Sequence, residues 1–199
     1  MNVPYRQIRA AYSEESVTVY QAYDPVIAEP AVTARRFVPP FKRERMTWIK
    51  PSFLWMMYRC GWAAKPGQTR VLAVEISRAG FEWALGHACL SHHDGTDPTA
   101  WAERLRHSPV RIQWDPERDA HHNALPHRSI QIGLSGEAVH RYVDEWILGI
   151  TDVTGRVRDI HAALRNGRDV TGLLPAERPY PLPAPLADAI GATPGAEAA

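Results

Sequence analysis

Lys50-Pro51-Ser52 joins a β-like run, Met46 to Ile49, to an apolar segment, Phe53 to Tyr58, that reads as a buried helix. A turn of this kind can hold an anion: helix-start N–H groups, a serine hydroxyl and a lysine ammonium converge on one point. Arg45 and Arg59 bracket the turn and would neutralise a phosphate held there. The plainer alternative is that Pro51-Ser52 only starts a helix and that Arg59 pairs with a surface carboxylate.

Other groups could join such a site. Val17 to Tyr23 carries Tyr20, Gln21 and Tyr23, whose rings and polar tips suit stacking on, and hydrogen bonding to, a planar base; half-buried strand tyrosines are the alternative. Asp115 and Glu117 follow the run Val110–Trp114 and suit general-base work or a ribose hydroxyl. Arg118 and Arg128 would bind phosphate or lock those carboxylates in ion pairs. His87, Cys89, His92, His93 and Asp94 form one histidine cluster, and His121, His122 and His127 another. Their spacings match no zinc pattern, so no metal is expected. GxSxG, HExxH, CxxC and P-loop motifs are absent.

The elements that must position these groups are a mixture of strands and helices. Val17–Tyr23 is rich in β-branched and aromatic residues, and Arg70–Ile76 alternates, so both are predicted strands. Val110–Trp114 and Arg128–Leu134 are further strands, with Asp115–Arg118 as a turn. Asp24-Pro25, Ser77 and Asp97-Pro98 are helix starts. Val139, Tyr142, Val143, Trp146, Ile147 and Ile150 make one helical stripe, and a last helix carries Val157, Ile160 and Leu164 before Asn166-Gly167. The irregular order predicts an α+β domain over 1–175, with a mixed or antiparallel sheet of five or six strands and flanking helices. Residues 176–199, where prolines alternate at 179, 181, 183 and 185, are predicted to be a disordered Pro/Ala-rich tail.

With 45% hydrophobic and 23% charged residues in 199, the chain has the composition of a soluble globular protein. The net charge of +1 conceals an excess of basic residues before position 71. Arg35-Arg36 and Lys42-Arg43-Glu44-Arg45 precede Trp48 there, and basic groups interleaved with aromatics suit a nucleotide or RNA. The 2 cysteines lie in apolar surroundings, and neither a signal region nor a membrane span is visible, so cytoplasm is expected.

Val19–Tyr23, Arg45–Arg59, Gln113–Arg118 and Arg128–Leu134 together resemble domain-of-unknown-function family 4291, over Arg6 to about Gly172. The order of strand, helix, strand ending in Pro51-Ser52, helix with Tyr58, then the strand at 71–76 also looks like the first half of an ADP-ribosyltransferase-type domain. That resemblance implies NAD as cofactor. Tyr20, Gln21, Ser52, Arg128 and Gln131 would be the catalytic set, and Arg9, Arg45, Trp48, Lys50, Tyr58 and Arg59 would bind the cofactor. Gln21 stands where those enzymes carry His or Arg, a role left to Arg6 or Arg9. The implied activity is an NAD-using transferase, acting on RNA or a phosphorylated end. The alternative is a non-catalytic RNA- or nucleotide-binding module.

Overall fold

The structure, a computed structural model, describes residues 3–93, 95 and 97–193. In chain order the elements are β1 (Arg9–Ala10), β2 (Ser16–Tyr23), α1 (Pro25–Ala34), β3 (Thr47–Ile49), α2 (Phe53–Cys60), β4 (Arg70–Ser77), α3 (Arg78–Gly86) and β5 (Ala88–Leu90). They continue with α4 (Pro98–His107), β6 (Val110–Arg118), β7 (Ala124–Leu134), α5 (Glu137–Arg141), β8 (Ile147–Asp152), α6 (Thr154–Arg165), β9 (Arg178–Pro179) and α7 (Ala184–Ala189). The fold is α+β. Among the described residues, no helix is long and apolar enough to cross a membrane.

Two sheets carry the molecule. In the first, β4 lies between β2 and β8 and pairs antiparallel with both. Val17, Val19, Leu72, Val74 and Ile76 are sealed from solvent in its core. In the second, of order β3-β7-β6-β5, β6 and β7 form a long hairpin and β5 runs parallel to β6. The sheets touch where the Tyr20 N–H donates to the Lys50 carbonyl at 2.7 Å. Gln21 ties the same junction from inside. Its amide donates to Thr47 Oγ1 at 2.7 Å and to the Trp48 carbonyl at 3.1 Å, and its oxygen accepts from the Tyr142 hydroxyl at 2.7 Å.

Several helix starts follow from their capping residues. Asp24, Ser52, Ser77 and Asp97 each accept a backbone N–H from the first turn of the helix that follows. Three expectations need correction. Asp115–Arg118 is not a turn: β6 continues through it, with an irregularity between Pro116 and Arg118. β5 pairs only with Val110–Ile112, so Pro116 sits beyond it, where a missing N–H costs no ladder bond on that side.

The stripe from Val139 to Ile150 is not one helix. It ends in a π-type turn, Tyr142–Trp146, and Ile147–Asp152 forms β8 on the free edge of β4. Residues 176–193 are not disordered. β9 pairs with β1, Tyr180 is 5% exposed, and Ile190 is fully buried with its carbonyl accepting from Trp114 Nε1 at 2.8 Å. The rest of the expected tail, 194–199, lies outside the described residues.

Candidate functional site

Where the two sheets part, a cleft of about 640 Å³ opens between β2, β3, α2 and the loop before β3. Its volume lies within the range of small-molecule sites, about 300–1,000 Å³. Four cations line it: Lys42 and Arg45 from the loop, Lys50 just after β3, and Arg59 from α2. No aspartate or glutamate is among the lining residues. Among the described residues, none of the four cationic groups forms a side-chain hydrogen bond or an ion pair.

Lys50 is the buried member, 5% exposed, with its ammonium 5.2 Å from the centre of the Trp55 ring. Burial lowers its pKa to about 7, Arg59 pushes the same way, and Asp115 opposes them. Near neutral pH a large share of this amine is uncharged.

The walls beside the cations are amide and aromatic. Trp48 faces Gly133 across the β3/β7 ladder, and a Cβ on Gly133 would stand 2.9 Å from Trp48 ring carbons and from Met46 Sδ. The glycine leaves room for the indole to cross the neighbouring strand. Gln131 is held by its amide, which donates to Gln113 Oε1 at 2.5 Å and to Asp115 Oδ2 at 2.7 Å.

The start of α2 is a separate place. Ser52 is 2% exposed; its hydroxyl donates to Glu117 Oε1 at 3.0 Å and accepts from the Trp55 N–H at 3.2 Å. The Phe53 N–H donates to Glu177 Oε1 at 2.7 Å. The helix-start N–H groups are therefore taken up by side chains of the chain itself. Ser52 and Lys50 do not converge as the sequence suggests: Lys50 lines the cleft and Ser52 faces Glu117. Burial raises the pKa of Glu117, and burial together with Glu117 raises that of Glu177 to about 8.

Six of the expected residues meet on the cleft wall: Gln21, Arg45, Trp48, Lys50, Arg59 and Gln131. Five do not. Tyr20 packs on Phe53 with ring centres 5.4 Å apart, in the core cluster beneath α2. Ser52 is held by Glu117. Arg128 donates to the Tyr5 hydroxyl at 2.5 Å and to the Trp114 carbonyl at 2.8 Å. Arg9 reaches the Glu177 carbonyl at 3.3 Å. Tyr58 carries the Arg118 guanidinium 4.0 Å from its ring centre.

Lys42, Thr47, Gln68 and Gln113 also line the cleft and were not singled out as site residues. Lys42 was legible in the basic run before Trp48. Gln113 becomes legible only once its register with Gln131 is known. Of the histidines, His87 stacks on Trp83, while His122 and His161 both stack on Trp62. Asp94 of the first cluster lies outside the described residues. Among the described residues, no three His, Cys, Asp or Glu side chains are grouped to hold a metal ion.

No curated protein matches this chain. The model of a family described as a domain of unknown function, DUF4291, matches residues 7–180, and the chain belongs to that family.

Proposed function

We propose that the cleft binds a phosphate-bearing ligand of the nucleotide class. The observation that carries this reading is the gathering of Lys42, Arg45, Lys50 and Arg59 around one cleft without a carboxylate among the lining residues. Like charges repel when gathered in this way, and an incoming polyanion would relieve that repulsion. Trp48 offers an indole for a base to lie against, and the amides of Gln68, Gln113 and Gln131 offer polar atoms for its edge. This is the binding-module reading, and Lys42, Arg45, Lys50, Arg59 and Trp48 in the cleft lining support it, without Tyr20 or Tyr58.

A second reading makes the ligand NAD and the protein a transferase of ADP-ribosyltransferase type. Gln21 and Gln131, two residues that the resemblance places in the reaction, share the cleft wall with the cations. Tyr20, Ser52 and Arg128 would have no direct part in it. Binding and orientation would come from Arg45, Arg59 and Trp48, and Gln131 would be positioned by Asp115.

Calorimetric titration with ADP, NAD, pyrophosphate and adenosine tests the proposal. Pyrophosphate and ADP should bind, adenosine should bind far more weakly, and affinity should fall with added salt. Replacing Arg45 and Arg59 together by alanine should weaken ADP binding by about tenfold or more. Equal binding of adenosine and ADP, or an unchanged ADP affinity in the double variant, would overturn it. Nicotinamide release from NAD by the intact chain separates the transferase from the module.

A further inference from the structure

Lys50 differs from the other cations of the cleft. Arg45 and Arg59 carry exposed guanidinium groups. The Lys50 amine is almost enclosed, meets no acceptor among the described residues, and still opens on the cleft. Its backbone is fixed by the bond between its carbonyl and the Tyr20 N–H, and its amine lies over the Trp55 ring, 5.2 Å from the ring centre. A lysine kept only for charge gains nothing from this burial, since desolvation removes the charge. A lysine that uses its nitrogen lone pair gains from it directly.

We propose that Lys50 acts as a covalent amine, condensing with the carbonyl carbon of a phosphate-bearing aldehyde or ketone whose phosphate is seated on Arg45 and Arg59. This rests on the phosphate-cleft reading and narrows its ligand to nucleotide-class compounds that also carry a carbonyl, such as a nucleoside diphosphate bearing the open form of a reducing sugar. The lone pair on Lys50 Nζ attacks the carbonyl carbon and a C–N bond forms. The carbonyl oxygen takes up a proton as the nitrogen releases one, giving a carbinolamine. Loss of one water then leaves the imine, with no change in oxidation state and no further reactant. The pKa of about 7 supplies the neutral amine that the first step needs.

The chain has three lysines, Lys42, Lys50 and Lys65, so the test reads clearly. The intact protein is incubated with pyridoxal 5′-phosphate at neutral pH, reduced with borohydride and mapped by peptide mass. Parallel samples contain pyridoxal without its phosphate, or an excess of pyrophosphate. Lys50 should carry the reduced adduct at least about tenfold more than Lys65, whose amine donates to the Tyr58 and Arg59 carbonyls outside the cleft. Pyrophosphate should suppress the adduct, and pyridoxal should label Lys50 far less.

Adduct on Lys42, Lys65 or the amino terminus with Lys50 untouched would overturn the proposal. If pyrophosphate binds by calorimetry while Lys50 stays unlabelled, the covalent role falls and the phosphate cleft stands. If pyrophosphate neither binds nor protects and Lys50 is unlabelled, both fall. Equal labelling by pyridoxal and its phosphate, without protection, would overturn the seating of the phosphate on Arg45 and Arg59.

Discussion

The Glu177 carboxylate accepts the Phe53 N–H at 2.7 Å, so a residue 124 positions away closes the N-terminus of α2. Glu117 reaches the same helix start through Ser52. Two carboxyl groups thus approach one turn, and burial keeps both from ionising at their ordinary values. The turn at Ser52 serves as an internal clasp for the C-terminal segment, beside the cleft and not within it.

The clasp sets a pH dependence. An unfolded glutamate titrates at about 4.3, and Glu177 in the fold near 8. Between these values the folded state holds the extra proton, so stability falls as pH rises through the window. Glu177→Gln keeps an oxygen for Phe53 and removes the titration. Melting curves from pH 5 to 8 should fall less steeply for the variant than for the parent, by up to about 1 kcal/mol per pH unit. Parallel curves for the two proteins would show that Glu177 is ordinary.

Lys50 predicts a proton linkage to ligand binding at the cleft. Its pKa of about 7 reflects burial, then Arg59, against the pull of Asp115, with the Cys60 thiol also close enough to act on it. A bound pyrophosphate favours the charged amine, so binding above pH 7 should take up a proton and should tighten as pH falls through about 7. Calorimetry in two buffers of different ionisation heat measures that proton. Lys50→Met should abolish the uptake, and Arg59→Ala should move it to higher pH, because a repelling charge is gone. Proton uptake unchanged in Lys50→Met would assign it to another group.

These relationships were unequally visible in the sequence. The basic wall was legible because Lys42, Arg45, Lys50 and Arg59 are close along the chain and flank one strand and one helix. Asp24, Ser77 and Asp97 announced their helices because a cap is a local bond. β8 was hidden, since Val143, Trp146, Ile147 and Ile150 fit a helical stripe. The free edge of β4 makes the last two a strand, a choice no local window contains. The carboxyl clasp was hidden for a related reason. Ser52, Glu117 and Glu177 meet only after β6 and the C-terminal segment have docked, and β6 runs on through a proline that suggests a turn.

Gly133 tests the aromatic wall. A methyl group there would meet Trp48 and Met46 at 2.9 Å, closer than carbon atoms pack. Gly133→Ala should push the indole off β7 and destabilise the fold by about 1–3 kcal/mol. The variant should also lose affinity for ADP more than for pyrophosphate, because only ADP carries a base to lie against Trp48. Thermal melts and paired titrations measure both effects. Equal loss for the two ligands would assign Trp48 a purely structural place.

The C-terminal segment gives the sharpest test of the fold. A disordered tail can be removed without cost. Here Tyr180 packs edge-on against Phe81 with ring centres 5.2 Å apart, and its hydroxyl donates to Glu82 Oε1 at 2.6 Å. The Ile190 carbonyl satisfies Trp114 Nε1 inside the core, and the Thr193 N–H donates to the Arg6 carbonyl at 2.9 Å. A chain ending at Pro175 loses the buried side chains of Tyr180 and Ile190 and leaves the Trp114 indole N–H and the Phe53 N–H without partners. Each large buried side chain accounts for roughly 1.5–3 kcal/mol and each orphaned buried donor for about 1–3 kcal/mol, comparable together with the whole stability of a domain. The shortened chain should therefore unfold or melt without a cooperative transition, read by circular dichroism on heating. A cooperative melt at the parent temperature would mean that these contacts do not hold the fold.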